Sequence, residues 1–267
     1  MLWHGWAHAL LPTLLFAVSN PVNAASTTAI FLFKDVLQSN TTALKTSGFN
    51  TLLIFRIGVL ENGDLVYYST GDAGDAVDAP VITGGAYTLI DRVEVSLVSH
   101  DATFVNIRNL VNANGTGAGT PLYNNFEALF SAWGLDAFNN DDESVYDVAS
   151  TVSFAKLLGG IGYRYSIAPY TNTGFWASVA QQLPGLLDRV YLQVYDGGAG
   201  NDPGAWQDAL GLKVTPVVWV TNDAKPSQGN TPEQAQAKFT NWNSQYSVDG
   251  GGMWQVSLPV TLKYRSQ

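Results

Sequence analysis

Apolar and polar positions along the 267-residue chain change period repeatedly. TAIFLF (28–33) and TLLIFRIGV (51–59) are continuous apolar runs rich in β-branched and aromatic residues, as in strands buried on both faces. RVEVSLVS (92–99), residues 134–143, YRYSIAP (163–169), RVYLQVY (189–195), KVTPVVWVT (213–221) and residues 250–255 predict six more strands. Helices are expected between them at 37–47, 104–112, 122–133, 150–158, 175–187 (around Pro184), 203–210 and 231–246. Gly48 and Gly159-Gly160 mark helix ends, whereas Asp202-Pro203 and Thr231-Pro232-Glu233 mark starts. Glu61-Asn62-Gly63-Asp64 is a turn signal ahead of residues 65–69, so a β-hairpin insertion is expected after the second strand.

This alternation of eight strands with helices predicts an α/β protein, a single (β/α)8 TIM barrel of parallel βαβ units. An open doubly wound sheet is the alternative. It calls for a glycine-rich turn after the first strand, and Lys34-Asp35-Val36 supplies none. No repeat or low-complexity linker divides residues 25–267, which are read as one domain.

The N-terminus departs from this pattern. ALLPTLLFAV (9–18) has the length of a signal-peptide apolar core, and Val22-Asn23-Ala24 the small residues of a cleavage site. Residues 1–24 are therefore expected to be a signal peptide cut before Ala25, giving a secreted protein; the alternative is a buried first helix. No other run reaches the ~18 apolar residues of a membrane span.

Composition narrows the chemistry. Net charge is −9 with no basic run, which argues against nucleic acid and against an anionic membrane surface. Charged residues are 13% of the chain, about half the usual share of roughly 25%, a bias common in secreted carbohydrate-handling proteins. The absence of cysteine excludes disulfides, a Cys nucleophile and Cys-based metal sites. Loss of residues 1–24 would leave His100 as the only histidine, so a multi-histidine metal site is excluded, a Ser-His-Asp triad would have to use His100, and catalysis is expected to rest on carboxylates. The acidic segment GDAGDAVDAP (71–80) lacks the D-x-D-x-D-G order of a Ca²⁺ loop.

The chemistry is expected in SAWGLDAFNNDDESVYD (131–147), which sets five acidic residues and two asparagines where a buried strand is predicted. Barrel sites lie at the C-terminal ends of strands, and alternate strand residues share a face. Ala137, Asn139, Asp141 and Glu143 therefore point one way, and Asp136, Phe138, Asn140 and Asp142 the other. If the first set faces inward, Glu143 stands at the mouth with Asp141 and Asn139 below it. Paired carboxylates in a partly desolvated mouth have the raised pKa that a general acid needs.

Asp136 to Glu143, DAFNNDDE, resembles the D-G-x-D-x-D-x-E signature on strand four of family 18 glycoside hydrolases, which include chitinases and endo-β-N-acetylglucosaminidases. Gln193-Val194-Tyr195-Asp196 resembles the family's Q/M-x-Y-D/N element on strand six, and Gly251-Gly252-Met253-Trp254 its glycine-rich end of strand eight. The resemblance implies a secreted, monomeric, retaining hydrolase that needs no metal or cofactor. It would act next to N-acetylglucosamine in chitin or the N-glycan chitobiose core, with the substrate's own acetamide as nucleophile. It implies that Glu143 is the acid and base, that Asp141 orients the acetamide, and that Tyr195 donates to the acetyl carbonyl. It places Asp196, Trp254, Asn139, Gln193 and Ser96 at the sugar, with Trp254 as a stacking floor.

Three departures stand out. Ala137 replaces a glycine, and Val95-Ser96-Leu97-Val98-Ser99 keeps only Ser96 of the family's S-x-G-G. Asn139 replaces the inner aspartate, and its amide is expected to donate to Asp141 as a protonated aspartate would. Two other readings remain: a catalytically silent sugar-binding or inhibitor protein, and a barrel of different glycosidic specificity whose second carboxylate is Asp196 or Asp223.

Overall fold

The computed structural model describes residues 26–33, 46, 48–67, 75–76, 90–97, 99, 102–220 and 229–254. All but residue 46 of the helix expected at 37–47, the leader expected at 1–24, and Asp223 lie outside the described residues. Eight parallel strands close a barrel: β1 (Thr28–Phe33), β2 (Thr51–Val59), β5 (Arg92–Leu97), β6 (Ala137–Asn140), β7 (Arg164–Ile167), β8 (Leu187–Gln193), β9 (Thr215–Trp219) and β10 (Gly251–Trp254). β1 pairs with both β2 and β10, so the eight-stranded barrel has no open edge and the doubly wound alternative falls away. β3 (Leu65–Tyr67) and β4 (Asp75–Ala76) continue antiparallel from β2 outside the barrel, as the hairpin expected after the second strand.

The described helices are α1 (Thr103–Asn114), α2 (Pro121–Trp133), α3 (Val148–Ile161), α4 (Thr173–Gln182), α5 (Pro203–Leu210) and α6 (Pro232–Tyr246). Their starts follow local chemistry. Asp202 accepts the Ala205 N–H ahead of Pro203, and Thr231 and Gln234 form a reciprocal capping box around Pro232. No described helix is long and apolar enough to cross a membrane.

Among the helix ends, two differ most from expectation. α3 runs through Gly159 and Gly160 and ends at Gly162, because Gly159 serves packing: a Cβ there would lie 2.9 Å from Leu186 Cδ1. The helix expected to continue around Pro184 stops at Gln182 instead; a turn through Pro184-Gly185 follows, and β8 starts at Leu187.

The strands bury both faces against different surroundings. The outer face packs on the helices: Phe138 meets Phe126, Phe154 and Tyr163 edge-on at centroid distances of 5.4, 5.5 and 6.4 Å. The inner face is apolar on β1 and β9 (Ala29, Phe31, Val217) and polar on β5 to β8. Arg92 Nε donates to Glu94 Oε1 at 2.7 Å, and the Arg92 guanidinium grips Asp188 with two bonds of 2.7 and 2.8 Å. Tyr191 donates to Glu94 Oε1 at 2.5 Å, and Ser166 donates to Glu94 Oε2. Glu94 has no solvent exposure, so its charge depends on these partners. Arg92→Met is expected to cost about 3–5 kcal/mol by leaving Glu94 uncompensated, a loss measured as a lower denaturation midpoint.

Candidate active site

The β6 ladder ends at Asn140, three residues short of the expected strand end. Local side-chain bonds replace it. Asn140 Oδ1 accepts the Asp142 N–H at 2.8 Å, and Asp142 accepts the N–H groups of Ser144, Val145 and Tyr146 at 2.8 to 2.9 Å. Asp147 then caps α3, accepting the Ser150 N–H at 2.8 Å. The loop carrying Glu143 is thus tied at both ends. Inward and outward parity persists beyond the strand: Phe138, Asn140 and Asp142 belong to the outer side, and Asp141 and Glu143 line the cavity at the barrel mouth. Asp142→Ala would leave three N–H groups, two of them on half-buried residues, without their acceptor. The expected cost is about 2–4 kcal/mol, with faster hydrogen exchange at Ser144, Val145 and Tyr146.

The cavity holds about 520 Å³ and is bordered by Phe55, Arg56, Ser99, Asp141, Glu143, Tyr170, Gln193, Tyr195, Asp196, Gly197, Trp219 and Trp254. Of the expected site residues, it brings together Glu143, Asp141, Tyr195, Asp196, Trp254 and Gln193. Asn139 and Ser96 lie beneath it, fully buried. Ser96 Oγ donates to Asn139 Oδ1, and Asn139 Nδ2 donates to Ser166 Oγ, both at 2.9 Å. This corrects the expectation that the Asn139 amide donates to Asp141. Ser166 gives its one proton to Glu94, so its oxygen is left as an acceptor, and that sets which end of the Asn139 amide faces it.

Asp141 takes its donor from β8 instead: Gln193 Nε2 lies 2.9 Å from Asp141 Oδ1. Burial, then the nearby Glu143 and Asp142, push the Asp141 carboxyl well above the ordinary range, and the Gln193 bond offsets part of that rise. Across the cavity, Trp254 and Tyr195 lie nearly parallel (13°) with centroids 6.4 Å apart. Phe55 meets Trp254 edge-on at 4.8 Å, and Trp219 meets Tyr195 edge-on at 5.3 Å. These rings make an apolar wall opposite the acids, suited to the C–H face of a pyranose.

Backbone constraints hold this wall. Gly250 has φ +82°, and a Cβ there would come within 1.9 Å of the Thr27 carbonyl, so the entry to β10 admits glycine alone. Asn201 Nδ2 donates to the carbonyls of Tyr170 and Gln193, and Trp206 Nε1 donates to Asn201 Oδ1 at 3.1 Å. Tyr146, in the loop that carries Glu143, and Asp196, on the cavity wall, have left-handed backbone (φ 49° and 46°), a strain of about 1–3 kcal/mol each.

Arg56, Tyr170 and Trp219 border the cavity although the sequence did not single them out as site residues. Arg56 carried a signal, a lone charge inside the apolar run TLLIFRIGV. Among the described residues, no group of three His, Cys, Asp or Glu side chains is arranged to hold a metal ion.

No family profile matches the sequence, and no curated protein matches it. Solved structures do match by shape. A fungal endo-β-N-acetylglucosaminidase of glycosyl hydrolase family 18 superposes with a TM-score of 0.62 at 14% identity, over 88% of this chain and 93% of that one. The fold is that of glycoside hydrolase family 18. A family 18 chitinase from Flavobacterium johnsoniae gives 0.61 at 14% identity, over 86% and 88% of the two chains. A chitinase-like agglutinin from Robinia pseudoacacia gives 0.56 at 10% identity, over 85% and 94%. A fold of this kind thus occurs in hydrolases and in an agglutinin.

Proposed function

We propose that this protein is a secreted, retaining glycoside hydrolase that cleaves β-1,4 linkages beside N-acetylglucosamine by substrate-assisted catalysis. The observation that carries the reading is the joint placement of Asp141 and Glu143 on one side of the mouth cavity, facing the Tyr195–Trp254 wall. A sugar ring stacked on Trp254 would present its acetamide and anomeric carbon to the two carboxylates. Glu143, half-buried in the tied loop, protonates the leaving oxygen and then takes a proton from the incoming water. Asp141 holds the acetamide N–H, so that the acetyl oxygen attacks the anomeric carbon, and balances the positive charge of the cyclic intermediate. Tyr195 donates to the acetyl carbonyl.

The test offers chitin oligosaccharides, the same oligosaccharides N-deacetylated, and a high-mannose glycopeptide, with products followed by NMR. Cleavage of an acetylated substrate with β-anomer formed first, and none of the deacetylated one, is the expected result. First release of the α-anomer, or equal cleavage without the acetyl group, would overturn it. The competing reading is a sugar-binding protein without turnover. It is favoured by the likeness to the chitinase-like agglutinin and by the amide of Asn139 where an acid is expected. Saturable binding of the acetylated oligosaccharides without cleavage would establish it.

A further inference from the structure

A single nitrogen on β8 reaches both acids. Gln193 Nε2 lies 2.9 Å from Asp141 Oδ1, 3.4 Å from Glu143 Oε1 and 2.8 Å from the Ala168 carbonyl oxygen. A primary amide nitrogen carries two protons. The Ala168 carbonyl takes one, and the other is left for the two carboxylates, closer to Asp141.

The side chain is held in this position. Gln193 is buried, its N–H donates to the Pro169 carbonyl at 2.9 Å, and its carbonyl accepts from Asn201. Gly198 packs on that same carbonyl, where a Cβ would approach to 2.3 Å. Below, Asn139 turns its amide to Ser96 and Ser166, away from Asp141. The charged groups around Asp141 are Asp142 and Glu143 on its own loop, with Arg56 after the cavity-facing Phe55 of β2 and Asp196 following β8 on the cavity wall. Gln193 is a neutral donor among them.

We infer that Gln193 is the positioning residue of the acid pair: its one shared N–H sets Asp141 and links it to Glu143, a task that residue 139 does not perform in this chain. The consequence for rate rests on the glycosidase reading; the geometry does not. An amide does not titrate, so the donor persists across the working pH range. When Glu143 gives up its proton it becomes the stronger acceptor, and the shared N–H can follow the charge while Asp141 turns to the acetamide.

The test is Gln193→Met, which keeps side-chain length and removes both protons. The expected result is a fall in kcat of roughly 10- to 100-fold with KM within about threefold. The acid limb of the pH–rate profile moves to higher pH, because ionised Asp141 has lost a donor. Gln193→Glu carries a donor only when protonated, so it should recover part of the loss at acid pH and none at alkaline pH. A rise in KM alone with an unmoved profile would make Gln193 a substrate contact and overturn the inference. If the wild type cleaves none of the substrates, the glycosidase reading fails separately. Carboxyl ¹³C NMR then decides, with the Asp141 signal assigned through Asp141→Asn. An upward displacement of the Asp141 titration in Gln193→Met supports the inference, and an unmoved midpoint overturns it.

Discussion

Glu143→Gln is expected to lower kcat on an acetylated chitin oligosaccharide by roughly 10³-fold or more and to leave the fold intact. The amide fills the same space in the cavity wall, but it can neither give a proton to the leaving oxygen nor take one from water. Substrate binding should survive, since the proposed stacking on Trp254 does not involve the acid's proton. The predicted signature is therefore near-normal affinity with turnover lost. Calorimetric titration and a chromatographic assay on the same preparation would record it. Residual activity within about tenfold of the wild type would mean that another group protonates the leaving oxygen. Asp196 is the acidic side chain to examine next, because it too borders the cavity.

Asp141→Asn should separate stability from activity. Burial and the two neighbouring carboxylates raise the Asp141 pKa in the folded protein above the unfolded value near ~3.9. Below that unfolded value both states are protonated, and the group's stabilising contribution is fully present. As pH rises from the unfolded value through the raised folded value that contribution is lost, so Asp141 weakens the fold at higher pH. Asn is neutral at every pH, and its oxygen still accepts the Gln193 N–H. The variant is expected to melt about 2–5 °C higher than the wild type at pH 7, with the advantage disappearing below roughly pH 4. Its kcat should fall by about 10²–10³-fold, because an amide cannot balance the charge of the cyclic intermediate. Melting curves at pH 4 and pH 7 beside steady-state kinetics provide the measurement. Equal melting temperatures at both pH values would show that Asp141 carries no folding penalty.

The two largest effects thus fall on residues that act in opposite ways on the molecule. Glu143 is half-buried in a loop tied by Asp142, and its loss costs chemistry alone. Asp141 is buried, acidic and close to two other carboxylates, which is unfavourable for folding and useful for chemistry. The polar barrel floor differs again. Arg92, Glu94, Ser166 and Tyr191 satisfy one another, and the Gln193 amide above them reaches both acids of the cavity.

Much of this was legible in the chain alone. The eight strands, their order and the hairpin after the second one follow from runs of apolar residues broken by turn and capping signals, which are local properties. The inward parity of Asp141 and Glu143 was legible for the same reason, since a strand's two-residue period says which side chains share a face. The period does not say what that face meets. In RVEVSLVS, Arg92, Glu94 and Ser96 alternate with Val93, Val95 and Leu97, a pattern that serves equally for a strand with one wet face. Closure of the barrel turned the polar side inward and made Arg92 and Asp188, 96 residues apart, into partners. The partner of Asn139 was decided in the same way. Its amide had Asp141 within reach along its own strand, but it bonds to Ser96 and Ser166, 43 and 27 residues distant, because neighbouring strands bring those hydroxyls level with it. Periodicity placed the acids at the mouth; only the register between strands could place Gln193 between them.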